Sequence, residues 1–226
     1  MEKIVMKISG SLLFPPDQKY YIKLKDTIEN ALNKGYKLGV VVGGGPLARY
    51  YINTLRELKV SEAILDILGI ESARLNALSL SAMLYPYSIP KVPKDLTETL
   101  EIFNNNLIPV LGGLQPGHST NAVSMILAEA IGSKNVINML NGINGIYTKN
   151  PKDPESKKLD RISYEGMEEL IKRMDQVAGG YELLDHVALE IAKRSKIRVI
   201  FIDGKNPETL LKVLDGEKIG TELVPE

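Results

Sequence analysis

Short apolar runs alternate with amphipathic stretches along the whole chain. The runs are rich in β-branched residues and predict buried strands at Ile4–Ile8, Leu38–Val42, Leu107–Leu111, Val136–Leu140 and Arg198–Ile202. Alternation of such strands with helical patterns indicates a mainly parallel sheet with helices on both faces. No convincing linker interrupts this order. We therefore predict an α/β protein with one domain over residues 1–226, divided into two lobes at about residue 130.

Between these runs, apolar residues recur at helical spacing. The predicted helical stripes are Leu24/Ile28/Ala31/Leu32, Leu47/Tyr51/Leu55/Leu58, Leu96/Leu100/Phe103, Val123/Ile126/Leu127/Ala130/Ile131, Met167/Leu170/Ile171/Met174 and Leu184/Val187/Ala188/Ile191/Ala192. Asp95 and Glu98 have the spacing of a capping box, and Asn206 followed by Pro207 predicts another helix start. The stretch Ile64–Met83 is predicted to be helical and is more apolar than a solvent-facing helix, which predicts an interface between subunits.

Composition excludes several classes of function. Lys plus Arg and Asp plus Glu each number 28, so the net charge is zero and no basic face for a nucleic acid is expected. The chain has no cysteine, which excludes disulfides and thiolate chemistry, and its two histidines cannot form a three-histidine metal site. No apolar run could span a membrane and no signal peptide is recognisable, so we expect no membrane contact and a cytoplasmic location.

Glycine-rich loops follow three of the predicted strands. They are Ser9-Gly10-Ser11, Gly43-Gly44-Gly45 and the longer segment from Gly112 to Thr120. Ligands of open α/β sheets bind beyond the carboxyl ends of strands, where glycine lets backbone N–H groups approach an anion. A single loop of this kind is as readily explained by a tight turn. Three of them in one chain predict a site for several phosphates.

Two familiar nucleotide motifs nearly match and are rejected. Gly43–Ala48 fits the dinucleotide pattern G-x-G-x-x-A, but Asp66, at the distance of the ribose-binding acid, lies in a predicted helix and not at a strand end. Gly112–Ser119 fits a P-loop except that His118 replaces the lysine, and a neutral imidazole cannot serve as a permanent cation.

Four side chains are candidates for ligand chemistry. Lys7, at the end of the first strand, is interpreted as a phosphate clamp, the alternative being a lysine that snorkels from an edge strand. Arg49 is either a bidentate phosphate ligand or a solvated helix residue. Asp66, with apolar neighbours, is interpreted as a buried acceptor for ligand hydroxyls rather than a surface carboxylate. His118 is more readily a loop or interface residue than a base.

Four segments resemble the amino acid kinase superfamily in order and spacing: Lys7–Ser11, Val41–Gly45, Gly142–Pro151 and Val199–Gly204. Three further segments are similar to the UMP kinases of that superfamily, in the archaeal branch: Ser61–Asp66, Gly112–Ala122 and Glu217–Thr221. The resemblance covers essentially the whole chain. The combination of segments is highly specific, whereas any one glycine run is not.

This resemblance implies a three-layer α/β/α sandwich, with an acceptor-binding N-terminal lobe and an ATP-binding C-terminal lobe. It implies transfer of the γ-phosphoryl group of ATP to UMP, which gives UDP and ADP in pyrimidine nucleotide biosynthesis. It further implies Mg²⁺ brought with ATP and not held by a metal site of the chain, feedback inhibition by UTP, and a homohexamer built from dimers.

The resemblance also assigns site residues. The ATP-binding set is Lys7, Ile8, Ser9, Gly10, Ser11, Gly45, Arg49, Asn141, Tyr147 and Asn150. The UMP-binding set is Gly44, Asp66, Leu114, Gln115, Pro116, Gly117, His118, Ser119 and Thr120. The catalytic set is Lys7, Gly44, Gly45 and Arg49. A lid over ATP is expected at Thr148–Arg161, a charged stretch that contains proline.

The chain departs from the superfamily pattern in two respects. Asn144 and Asn150 stand where the family usually has aspartate, and Gly179–Leu183 offers no counterpart of a second ATP-site lysine. Three rival functions stay open at this stage: another kinase of the superfamily that acts on a small phosphate or acylated amino acid, a non-catalytic storage or sensor protein, and a nicotinamide dehydrogenase.

Overall fold

A seven-stranded sheet with helices on both faces forms the protein, and the computed structural model describes residues 1–174 and 184–225. The strands are β1 (Lys3–Ile8), β2 (Lys37–Val42), β3 (Val110–Leu111), β4 (Asn135–Leu140), β5 (Ile146–Tyr147), β6 (Lys158–Leu159), β7 (Arg161–Ser163), β8 (Arg198–Asp203) and β9 (Thr221–Val224). The helices are α1 (Gln18–Asn33), α2 (Gly45–Glu57), α3 (Glu62–Met83), α4 (Leu96–Asn104), α5 (Thr120–Ile131), α6 (Tyr164–Met174), α7 (His186–Ser195) and α8 (Thr209–Leu214).

The sheet has the strand order β3-β2-β1-β4-β8-β9-β7. Its first five strands are parallel, while β9 runs antiparallel to β8 and pairs in parallel with β7. From β1 the chain adds β2 and then β3 on one side, and it crosses to the other side of β1 to form β4. The strand order therefore reverses between β1 and β4, and such switch points are where open α/β sheets bind ligands.

Alternate residues of the central strands face two separate cores. Ile4, Met6 and Ile8 of β1 face a core completed by residues of α1, α3 and α8, whereas Val5 faces a core with α5, α6 and α7. Because strands buried on both faces need apolar residues at every position, they appear as continuous apolar runs in the sequence. The predicted three-layer α/β/α sandwich with a mainly parallel sheet is confirmed.

Side-chain caps fix the starts of several helices. Asp17, Ser119 and Asp185 precede α1, α5 and α7, and each side chain accepts a backbone N–H from the first turn. Asp95 caps α4 as predicted by accepting the Glu98 N–H at 2.8 Å. The return bond of a capping box differs, because the Glu98 carboxylate accepts the N–H of Lys94 and not that of Asp95.

Three boundaries differ from the sequence predictions. The third strand shortens to Val110–Leu111: Pro109 has no N–H to donate, and the Ile108 N–H bonds to Tyr87 O outside the sheet. The helix expected at Asn206 begins at Thr209, and the Asn206 side chain accepts the Glu208 N–H in the preceding turn. The predicted loop Thr148–Arg161 contains β6 and the first residue of β7, with β5 and β6 forming a small antiparallel hairpin.

The apolar stripe of α2 does not form a core face as expected. Ala48 is its buried residue, whereas Tyr51 and Leu58 are exposed beside α3. The last two strands of the sheet order, β9 and the edge strand β7, escaped prediction because both are short and carry charged residues. The side chain of Met174 and the segment Gly179–Leu183, both used in the sequence analysis, lie outside the described side chains and residues. No helix in the described ranges is long and apolar enough to cross a membrane.

Candidate active site

The glycine loops after β1 and β2 lie against each other at the carboxyl edge of the sheet. A Cβ atom on Gly10 would lie 2.2 Å from Gly43 O and 2.4 Å from Gly45 N. Gly45 has a φ of +61°, and a Cβ there would lie 2.4 Å from Gly10 C. No side chain fits in either position, so this pair of glycines brings the two loop backbones into direct contact.

A buried amide from α3 holds the second loop. Asn76 Nδ2 donates to Gly43 O at 2.9 Å and lies 3.4 Å from Gly44 O. Asn76 is buried among small and apolar residues of α3, so its amide is committed to this loop. The sequence analysis missed Asn76, although a polar residue within an apolar helical run is a signal for such a contact.

Helix α2 begins directly at this loop. Gly44 is its N-cap residue, no side chain caps it, and Pro46 lies in its first turn. The first N–H groups of a helix lack intrahelical partners and bind anions. Arg49 extends from the next turn, is exposed, and has no hydrogen bond or ion pair to another described residue. A phosphate bound at Gly44 and Gly45 would therefore be one helical turn from the Arg49 guanidinium, which could bind it.

Lys7 lies at the switch point of the sheet. In the register of the sheet it sits between Val41 of β2 and Asn138 of β4. Burial lowers the pKa of Lys7 to about 8, and the negative charge of Asp185 partly opposes this effect. The structure thus places the half-buried Lys7 just before the first glycine loop, and its role as a phosphate clamp stays a prediction.

The loop after β3 packs on α3 along its whole length. A Cβ on Gly112 would lie 2.5 Å from Arg74 N, and one on Gly113 would lie 2.7 Å from Ile70 Cγ1. Further along, Asp66 Oδ2 accepts the N–H of Gly117 at 2.9 Å. Close contact thus requires glycine at the two positions next to the helix, and the Asp66 carboxylate holds the tip of the loop.

Asp66 is half-buried, which corrects part of the argument from its neighbours. Leu65 is buried, but Ile64 and Ile67 are exposed, so the apolar flanks of Asp66 do not enclose it. Its burial comes from the loop over it. The nearby Gln115 Nε2 and His118 Nδ1 lie 3.0 Å apart, which makes His118 a loop residue with a side-chain partner rather than a free base.

Ser119 links this loop to the cation. Its hydroxyl accepts the N–H of Ala122 at the start of α5 and donates to Asp185 Oδ2 at the start of α7. Asp185 also exerts its field on Lys7. Asp185 was not among the predicted site residues, because it is far from Lys7 in sequence and only the fold brings the two together.

Two cavities meet at Asp66. One has a volume of about 170 Å³ and reaches Gly44, Gly113 and Thr120, while the other has about 480 Å³ and extends to Asp185. Both are lined by Asp66, His118 and Ser119. The two adjoining cavities extend from the triple-glycine loop to the start of α7, and we call them together the acceptor hollow.

The other side of the switch point carries the predicted donor residues. Asn141 Nδ2 donates to Ser11 O at 3.3 Å, and the hydroxyls of Ser9 and Ser11 are 2.9 Å apart. Asp203 Oδ1 accepts the N–H groups of Gly142 and Lys205 at 2.9 and 3.0 Å, which ties the loops after β4 and β8 together. These loops form a polar rim next to Gly10.

Lys205 is a second cation at this rim that sequence reasoning missed. Its ammonium would lie 2.9 Å from a Cβ on Gly142, a residue with φ +74°. The Lys205 side chain therefore lies across a glycine of the donor loops. It forms no hydrogen bond or ion pair with another described residue, so its charge is available to a ligand.

The remaining predicted donor residues lie further out. Tyr147 is half-buried in β5, whereas Asn144 is exposed and Asn150 lies in the connection from β5 to β6. Asn150 Oδ1 accepts the Lys152 N–H at 3.0 Å, so this side chain stabilises its own turn. Among residues 1–174 and 184–225, no three His, Asp or Glu side chains are grouped so that they could hold a metal ion by themselves.

Comparisons with known proteins agree with this geometry. The sequence model of the amino acid kinase family matches residues 2–203. A protein of Aeropyrum pernix called uridylate kinase is 48% identical over 96% of this chain and 97% of its own length. One of Methanothermobacter thermautotrophicus with the same name is 41% identical over 99% of this chain and 100% of its own.

Solved structures show the same fold. The crystal structure of uridylate kinase from Archaeoglobus fulgidus superposes with a TM-score of 0.87 at 36% identity and covers 99% of this chain and 100% of that one. UMP kinase from Bacillus anthracis, at 19% identity, shares the fold with a TM-score of 0.82 over 100% of this chain and 96% of that one. Full-length matches at this level establish the relationship, and the chain belongs to the amino acid kinase family.

Proposed function

We propose that this protein is a UMP kinase, which transfers the γ-phosphoryl group of ATP to UMP and yields UDP and ADP for pyrimidine nucleotide synthesis. The observation that carries the proposal is the acceptor hollow, which begins at Gly44 and is lined by Asp66 and by residues of the loop 112–120. Full-length relatives named uridylate kinase support it. The intact Lys7 and triple-glycine loops favour an enzyme over a storage protein.

UMP occupies the acceptor hollow in this proposal. Its phosphate binds at Gly44, where the free N–H groups of α2 and the unpaired Arg49 meet. Asp66 accepts hydrogen bonds from the ribose hydroxyls with the carboxylate oxygen that Gly117 does not use. The segment Leu114–Thr120, which includes Pro116, surrounds the uracil. A nucleotide fits this arrangement better than a smaller phosphate, because the hollow continues beyond Asp66.

ATP binds on the other side of the glycine contact. Ile8, Ser9, Gly10, Ser11 and Gly45 contact its phosphates, and Asn141, Tyr147 and Asn150 lie towards its nucleoside. Mg²⁺ brought with ATP would supply further charge neutralisation at the phosphates. Lys205 is a further cation at this rim. It would neutralise charge on the ATP phosphates in place of the second ATP-site lysine that some members of the family have.

The reaction needs positioning and charge stabilisation rather than a general base. A phosphate oxygen of UMP is already anionic at neutral pH, so no proton has to be removed from the nucleophile. Lys7 and Arg49 stabilise the negative charge on the transferred phosphoryl group, while the N–H groups of Gly44 and Gly45 hold it between donor and acceptor. The hairpin segment 148–161 closes over ATP and excludes water.

Further features of this proposal concern the whole protein. Residues 1 to about 130 form the acceptor lobe and the remainder the ATP lobe. The chains assemble into a homohexamer through α3, the enzyme works in the cytoplasm, and UTP inhibits it by occupying the acceptor hollow. No nucleic acid or membrane takes part.

A substrate panel tests the proposal. Purified protein is incubated with Mg-ATP and, separately, with UMP, CMP, dUMP and isopentenyl phosphate, and ADP and the phosphorylated product are quantified. We expect UMP to be the preferred acceptor, with CMP and dUMP poor. Equal rates with CMP or isopentenyl phosphate would assign the chain to another acceptor. Absence of transfer to any of them would favour the storage hypothesis.

A further inference from the structure

We propose that Asn138 is a positioning residue for Lys7. The buried amide oxygen of Asn138 accepts a hydrogen bond from the Lys7 ammonium and orients this ammonium towards the transferred phosphoryl group. The inference rests on the proposed function only in that the phosphoryl group is the target of Lys7. The register pairing of the two residues holds without it.

The two residues are direct neighbours at the switch point. Lys7 of β1 and Asn138 of β4 form a register pair in the parallel sheet, close to the carboxyl ends of both strands. Register partners project to the same face of a sheet, here the face covered by α5 and α7. Because strand order reverses between β1 and β4, this pair lies at the base of the crevice in which the phosphates bind.

In the described part of the chain, Asn138 lacks a hydrogen-bond donor for its amide oxygen, and Lys7 lacks an acceptor for its ammonium, so each residue could supply what the other lacks. Asn138 is 1% exposed, and its Oδ1 has no hydrogen-bond donor among the described residues. Lys7, likewise, has no hydrogen bond or ion pair to a described residue. A buried amide oxygen without a donor is unfavourable, and so is a partly desolvated ammonium without an acceptor. One contact between them removes both penalties.

Helix α5 sets the orientation of the amide. Asn138 Nδ2 donates to Asn121 Oδ1 at 3.3 Å, which directs the amino group towards α5. The amide oxygen lies on the other side of the planar group and is thereby left to accept a hydrogen bond from Lys7 on the neighbouring strand. Asn121 directly follows Ser119 and Thr120 of the acceptor loop, so the orientation of the amide is linked to the loop proposed to contact UMP.

The charge around Lys7 explains why a neutral acceptor matters. Among the described residues that face Lys7, α7 contributes the carboxylate of Asp185, α5 contributes the uncharged Thr120 and Asn121, and β2 contributes Val41. Burial lowers the pKa of Lys7 to about 8 despite Asp185. An amide oxygen at the ammonium favours its charged form and, unlike a second carboxylate, does not repel the incoming phosphates.

The test compares Asn138→Leu and Asn138→Asp with wild type by the pH dependence of kcat/KM for UMP. The leucine removes the acceptor at nearly constant volume, so we expect the basic limb to move to lower pH by about one unit. Activity at pH 8–9 should then fall by about tenfold more than activity at pH 6.5, since one unit is a factor of ten. The aspartate should move the limb in the opposite direction.

Asn135→Leu is the matched control, because it places the same substitution on the same strand at the opposite end. Its amide bonds only to Glu2 at the surface, and its pH profile should match wild type. The pKa of Lys7 is followed independently by NMR of ε-¹³C-labelled lysine, with Lys7→Met for assignment. This reading requires no turnover and separates the inference from the identity of the substrate.

Profiles and NMR titrations that coincide in all Asn138 variants and wild type would assign Asn138 a packing role and overturn the inference. If the leucine variant does not fold, the aspartate variant decides by the direction of its shift. If wild type does not phosphorylate UMP while the Lys7 titration shifts as expected, the proposed function fails and the contact stands.

Discussion

At the scale of single residues, the buried charge of Lys7 lowers the stability of the folded protein, and the same charge is proposed to act on the phosphoryl group. Its pKa is about 8 in the folded chain and near 10.5 in the unfolded chain. The unfolded state therefore binds more protons between these values, and the stability of the ligand-free protein rises with pH from about 8 to 10.5. Below pH 8 the full penalty of the buried charge persists, and bound phosphate relieves it.

The direction of this pH dependence of stability leads to a prediction for Lys7→Met. We expect kcat to fall about 100- to 1,000-fold, as is typical for the loss of one charge-stabilising donor. The Tm of the ligand-free variant at pH 7 should nevertheless exceed that of wild type by a few degrees, since about 1 kcal/mol moves Tm by about 2–4 °C at this size. The difference should shrink as pH approaches 10.5. Calorimetry over this range checks it, and a lower Tm at pH 7 contradicts it.

Asp66 carries the second prediction at this scale. Asp66→Asn should raise the KM for UMP by about one to two decades, because a hydrogen bond to a charged acceptor is worth about 1.5–3 kcal/mol. Discrimination against dUMP should weaken with it. The asparagine can still accept the Gly117 N–H, so the loop stays in place and the KM for ATP should hardly change. Weakened ATP binding with unchanged UMP binding would reverse the assignment of donor and acceptor sides.

Sequence reasoning at the residue scale yields site predictions where a motif is local. Lys7, Gly10 and Gly45 stand within or beside glycine loops that mark their role in the sequence. Asn138 and Asp185 meet Lys7 only through the sheet and the packing of α7, and neither stands in a motif. Such partners could not be predicted, because the contact depends on strand order rather than on spacing along the chain.

At the scale of elements, the contact between the two glycine loops allows a stringent test. A methyl group on Gly10 would overlap backbone atoms of Gly43 and Gly45, and backbone cannot yield as a flexible side chain does. Gly10→Ala should therefore separate the loops and lower kcat/KM for UMP by at least about 100-fold, because misplacement by about 1 Å costs that much. Steady-state kinetics with both substrates measures the loss.

Gly166→Ala is the control for this prediction. Its Cβ would approach Ile162 Cγ1 to 3.2 Å, a flexible side chain on β7, and α6 lies away from the glycine loops. Alanine in a helix is favoured over glycine by about 0.5–1 kcal/mol, so this variant should keep wild-type kinetics. Wild-type kinetics in Gly10→Ala as well would show that the loop contact is dispensable.

Elements were predictable where a long apolar pattern marks them. The central strands, which are buried on both faces, and one face each of α1 and α5 match their patterns because burial selects apolar residues there. Helix α3 matches its predicted range although several of its apolar residues are exposed. The strands β5, β6, β7 and β9 have only two to four residues each, and β6, β7 and β9 include charged residues, so no periodicity marks them. The apolar stripe of α2 predicted a core face that the structure does not have, because Tyr51 and Leu58 of this stripe are exposed beside α3.

At the scale of the whole molecule, that outward stripe and α3 form one surface. Ile64, Ile67, Leu75 and Leu78 of α3 are 41–57% exposed, and Tyr50 and Leu58 of α2 are 70% exposed or more. Apolar residues exposed together usually mark an interface. The surface also carries the helix that presents Asp66, so a subunit docked there would brace the acceptor hollow.

We therefore predict an oligomer in solution, formed by α3 and α2 against the same elements of a second copy. A stable interface of this kind buries about 1,200–2,000 Å² in total, and charges introduced at its centre should break it. Ile67→Glu with Leu75→Glu should reduce the mass measured by light scattering at micromolar concentration and raise the KM for UMP. Ile22→Glu, at an equally exposed position on α1, should change neither. A monomeric wild type at that concentration would remove this surface as an interface and leave its apolar residues without a partner.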